Sequence, residues 1–102
     1  MDVLEQLVEQ GFTPRSFPAY ERHLGVEKYG CAALLEPTPE GGWKRFGSAG
    51  HLLNDQIALL VERGGRKYFV HKANQVPAEG ERLANFQRFL TELAAVLARN
   101  SS

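Results

Sequence analysis

Cysteine is nearly missing from this chain: the one present is Cys31. A lone thiol excludes an intramolecular disulfide and a cysteine-rich metal site, and it suits a reducing compartment. A surplus of charge is missing too. Lysine plus arginine number 12 and aspartate plus glutamate number 12, so the formal net charge is zero. Global electrostatics then gives no reason to expect nucleic acid or an anionic membrane as partner. Weak colloidal repulsion at neutrality makes self-association easier. Long apolar runs are also lacking. No window approaches the roughly 20 apolar residues of a membrane span. The start, MDVLEQLVEQGF, has acids where a secretory leader would be basic. These absences predict a cytoplasmic protein, and the Ala-, Leu-, Arg- and Gly-rich usage points to a bacterial one.

What is present fits one domain, 1–102, with a single core: 102 residues, 43% hydrophobic and 24% charged. Val3, Leu4, Leu7 and Val8 share one helical face, and Gly11 is a natural stop. Asp2 and Glu5 belong in that helix's first turn, where acids favour the dipole. The stretch 12–28 is punctuated by Pro14, Pro18 and Gly25. It reads as an ordered connection with one helical turn near 19–24. Four strands follow: 29–37, whose alanines and leucines would also suit a helix, 43–53 with a bulge at Gly47 or Gly50, 56–63, and 66–73. Asn54-Asp55 and Gly64-Gly65 are turns by composition. From about residue 80 the period becomes helical. Leu83, Phe86, Leu90, Leu93 and Leu97 make a stripe that Phe89 and Val96 widen, Arg99 closes it, and 100–102 should fray. Burying that stripe would contribute on the order of 10 kcal/mol before entropy is subtracted.

The segment RGGRKYFVHKANQVP, 63–77, has the strongest pattern. The Gly64-Gly65 turn sets Arg63 opposite Arg66, Glu62 opposite Lys67, Val61 opposite Tyr68, Leu60 opposite Phe69 and Leu59 opposite Val70. Continued, that register sets Ala58 opposite His71 and Ile57 opposite Lys72. Alternation then sorts two faces. The more apolar one, Ile57, Leu59, Val61, Tyr68 and Val70, is expected beneath the helices. The other leaves Leu60, Phe69 and His71 as an open patch with Trp43 at its rim. An exposed apolar patch of this kind marks an interaction surface.

Catalytic and metal signatures are sparse. His23, His51, His71 and Cys31 are the candidate ligands, yet no H-x-x-x-H or C-x-x-C occurs. Cys31 lies in an apolar strand, where a thiol pKa rises, and there is no G-x-S-x-G elbow. GSAG and RGGR lack the spacing of phosphate loops. Lys44, Arg45, Arg63, Arg66, Lys67 and Lys72, interleaved with Trp43, Phe46, Tyr68 and Phe69, would suit a single strand of nucleic acid, but no RNP-like motif supports it.

The expected fold is α+β: an antiparallel meander of four to five strands with N- and C-terminal helices on one face. The expected function is a non-catalytic binding or interaction domain, homodimeric through the open sheet face or docking another protein, with no cofactor or metal. An alternative is a small-molecule binder or enzyme using a cleft between the sheet and the 12–28 connection, with Tyr20, His23, Cys31 and His51 as its polar groups. A second alternative is single-stranded nucleic acid on the basic hairpin.

Overall fold

The computed structural model describes residues 3–99. Asp2 and the tail 100–102, expected as a helix-turn acid and a frayed end, lie outside them. The fold is α+β: an antiparallel sheet with two helices. The sheet has seven strands rather than four or five, and its order is the order of the chain. Helix α1 spans Val3–Glu9 and leads into β1, Thr13–Arg15. A 3-10 turn at Pro18–Tyr20 precedes β2, Leu24–Lys28, and β3, Cys31–Pro37. Then come β4, Trp43–Leu53, and β5, Gln56–Arg63. Strands β6, Arg66–His71, and β7, Asn74–Pro77, lead to helix α2, Gly80–Arg99.

The three unforeseen strands are β1, β2 and β7. Each holds a residue that composition assigns to loops: Pro14, Gly25 and Pro77. β1 and β7 are the sheet edges, where a missing N–H costs no ladder bond. The single helical turn expected near 19–24 is the shorter 3-10 turn, ending at Tyr20.

Helix α1 ends in a Schellman motif. Gly11 has φ of 92°, its N–H donates to the Val8 carbonyl at 3.0 Å, and the Phe12 N–H donates to the Leu7 carbonyl at 2.9 Å. Leu7 and Phe12 are buried in the same cluster, the hydrophobic contact such caps carry. Only half of the predicted α1 face is buried: Val3 and Leu7 are inside, and Leu4 and Val8 are exposed.

The core lies between the helices and one face of the sheet. Helix α2 supplies the bulk with Phe86, Phe89, Leu93 and Val96. Opposite it the central strands offer small side chains, Cys31, Ala33, Ala49 and Ala58. Small against large lets the helix approach the sheet closely. Aromatic pairs fix the ends of this contact. Phe12 meets Phe89 at 5.6 Å and Phe69 meets Phe86 at 5.1 Å, both edge-on.

The β2–β3 turn is tied to α2 by charge. The Lys28 ammonium donates to Glu92 at 2.5 Å and also to the Gln10 carbonyl, and the Tyr29 hydroxyl donates to the other Glu92 oxygen at 2.8 Å. The hydrogen bond from Lys28, helped by that from Tyr29, holds the Glu92 carboxyl below its ordinary pKa against the opposing pull of desolvation.

Candidate functional site

The hairpin register is as the turn dictates: Arg63 pairs with Arg66 and Leu59 with Val70, with Glu62–Lys67, Val61–Tyr68 and Leu60–Phe69 between. The faces, however, are inverted. Phe69 is fully buried on the helix side, against Phe86 and at 5.3 Å from the His51 ring. Leu59 and Val70, expected beneath the helices, face the open side. Leu60 shares the covered face with Phe69 but lies in its outer part and is 37% exposed. Trp43 also belongs to the covered side. It packs on the main core and lines a hollow of about 590 Å³ with Leu90 and Leu97. Of the expected patch only His71 borders the open-face groove.

That groove, of about 620 Å³, arises from two departures of the sheet from regularity. First, β4 and β5 pair only from His51–Ala58 to Leu53–Gln56. Away from that corner β4 stays with β3, through a bulge opposite Ala33 that contains Gly47, and β5 stays with β6. The two strands fork, and the groove lies in the fork. Gly50 makes the corner feasible. A Cβ there would stand 2.1 Å from the Ala58 carbonyl oxygen, inside any permitted contact.

Second, the chain after β1 crosses back over β2. A Cβ on Gly25 would meet the Arg15 carbonyl oxygen at 2.3 Å and the Phe17 ring at 2.7 Å. Glycine there lets Phe17 lie flat on the open face, where it is buried with Ala32 and Leu34, and Leu52 and Ile57 pack against them. Arg15 secures the crossing. Its guanidinium donates to Asp55 at 2.7 Å and Glu27 at 3.3 Å, and lies over the Phe17 ring at 5.2 Å.

The groove floor is apolar: Leu34, Ile57, Leu59 and Val70, with Phe17 beside them. Tyr20 and Phe46 form a wall. Phe46 stacks on His23 at 3.9 Å, and Tyr20 meets both rings edge-on. Ser48, Gln56, His71 and Lys72 supply the polar lining, and among the described residues no carboxylate borders the groove. The nearest acid along the chain, Asp55, is held by Arg15.

The four polar residues expected in one cleft divide into two pairs. Tyr20 and His23 stand together on the open side. Cys31 and His51 are cross-strand partners and belong to the covered side. Burial pushes the Cys31 thiol up to about 11. Burial also lowers the His51 pKa, as does the charge of Arg82, while the Gly30 carbonyl opposes both. Buried Nδ1 atoms on His23 and His51 have no hydrogen-bond partner among the described residues. Among those residues no group of three or more His, Cys, Asp or Glu could hold a metal ion. None of their helices is long and apolar enough to cross a membrane. Of the aromatics interleaved with the basic residues, Phe69 is buried and Trp43 packs on the core, so neither is free to stack a base.

The sequence signal for the groove was the excess of apolar residues on both sides of β5 and β6. The fork and the Phe17 crossing have no such signal, because each depends on one glycine meeting a strand distant in sequence. Comparison of the chain with protein-family models, with curated proteins and with solved structures gives no match.

Proposed function

We propose that this chain is a non-catalytic binding domain whose site is the groove in the β4–β5 fork. One observation carries the reading: beside the Phe17 crossing the open face is apolar and concave, and nothing among the described residues fills the groove there. Its volume falls in the range of small-ligand sites, which are lined mainly by apolar groups with a few polar ones that orient the ligand. Tyr20, 44% exposed, and Phe46, 37%, meet edge-on along its wall, and Leu59, 43% exposed, lies open on its floor. Such a surface on a small domain marks an interaction site. The chain's thiol lies on the other side of the sheet with its pKa raised, so it would serve packing rather than nucleophilic chemistry.

A second copy of the chain is the competing occupant. It is favoured by the proline in each edge strand, Pro14 and Pro77, which discourages edge pairing and leaves the face for self-association. Sedimentation velocity combined with fluorescence of anilinonaphthalene sulfonate separates the two readings. The proposal expects a monomer that binds the dye at one site, with the signal lost in Leu59→Asp. A dimer that binds no dye until Leu59→Asp dissociates it would replace the groove reading with the dimer.

A further inference from the structure

Resting on the groove reading, we infer that the ligand is an amphipathic carboxylate: an alkyl chain laid on the groove floor with its acid group against Lys72. Three observations converge on this chemistry. The floor offers only hydrocarbon, from Leu34, Ile57, Leu59 and Val70, so the buried part of the occupant is apolar. The charge of the lining has one sign, with Lys72 as its fixed cation and no carboxylate among the described residues to neutralise it. Among the described residues no ion pair or side-chain hydrogen bond engages Lys72; the same holds of Arg22, Arg45, Arg66 and Lys67, but of these cations Lys72 alone lines the groove.

The backbone at Lys72 points the same way. The meander has four two-residue turns: Tyr29-Gly30, Asn54-Asp55, Gly64-Gly65 and Lys72-Ala73. The first three use Gly, Asn or Asp, the residues that tolerate positive φ. The fourth has none of them, and Lys72 opens it with φ of 54°, as Tyr29 opens the first with φ of 57°. Both are long side chains held where Asn or Gly would be less strained, and of the two Lys72 is the one that lines the groove. Gln56, Ser48 and His71 add hydrogen-bonding capacity within the same groove. A cationic amphiphile would find no counter-charge there.

Isothermal titration of the full chain with decanoate, decanol and decyltrimethylammonium tests the inference. Decanoate should bind about fivefold more tightly than decanol, the effect of one partly exposed ion pair, and decyltrimethylammonium more weakly than either. Lys72→Asn suits the positive φ and removes the charge. It should abolish the preference for decanoate while decanol still binds, and Lys72→Arg should retain the preference. If Lys72→Asn fails to fold, loss of the preference at high salt in the unaltered chain gives the same answer. Equal binding of decanoate and decanol would overturn the carboxylate and leave the groove reading standing. No binding of any of the three would overturn both.

Discussion

On β5 and β6 two adjacent cross-strand pairs face opposite ways. Leu60 and Phe69 lie on the helix side, and Leu59 and Val70 on the open side. The second pair belongs to the more continuous apolar face, yet the first lies on the covered one. The reason is the neighbour two residues back: Ala58 sits in the main core, and alternation carries Leu60, with Phe69 opposite it, to the same side. Helix α2 brings Phe86, Phe89, Leu93 and Val96, so the sheet beneath it is largely small: Cys31, Ala33, Ala49 and Ala58. Larger residues join the covered face as Val26, Leu35 and Phe69, and the open face carries Leu34, Ile57, Leu59 and Val70. In this sheet the cluster of small residues, more than the longest apolar run, marks the covered face.

Substitutions can break or sharpen that contrast. The largest effect is expected at Phe69→Ala, which removes a ring packed against Phe86 and His51. It should cost about 3–5 kcal/mol in urea unfolding. Gly25→Ala comes next, because the added Cβ must displace the Arg15 backbone and the Phe17 ring. A loss of about 1–3 kcal/mol is expected, together with loss of dye binding at the groove. Glu92→Gln should cost about 1 kcal/mol by weakening the Lys28 contact that ties α2 to the β2–β3 turn. The smallest change belongs to Leu59→Ala on the open face, within about 0.5 kcal/mol of the unaltered chain. A Leu59→Ala cost comparable to that of Phe69→Ala would show the open face to be covered in solution.

Acid acts on the covered face as well. Glu92 has a lowered pKa in the fold, so its contribution is complete above the ordinary carboxylate range and is lost as pH falls through its lowered folded value. His51 is also lowered, chiefly by burial, so the neutral ring is favoured and protonation works against the fold as pH drops below the ordinary histidine range. Urea midpoints should therefore fall in two stages as pH drops, the first from about pH 7 and the second below about pH 4.5, and Glu92→Gln should flatten the later one.

The four longest strands were legible in the sequence because they alternate between diagnostic turns, and α2 because its stripe is long. The three short strands were hidden by Pro14, Gly25 and Pro77, residues that signal loops locally and are tolerated at edges and crossings. Register was legible from Gly64-Gly65. Facing was not, since alternation separates two faces without saying which one a helix will cover. Of the candidate site, Tyr20 and His71 were named in advance as patch or cleft residues, and Phe46 and Lys72 only for a nucleic-acid surface; with Phe17 they reach the groove through crossings and turns that only the folded chain defines.

The central claim is that the open face, and not the covered one, receives a ligand. Methyl-resolved NMR during titration with decanoate tests it directly. The account predicts shifts at Ile57, Leu59 and Val70 that saturate together, with Leu93 and Val96 unmoved. Shifts confined to Leu90 and Leu97 beside Trp43, or no shifts at all, would contradict it.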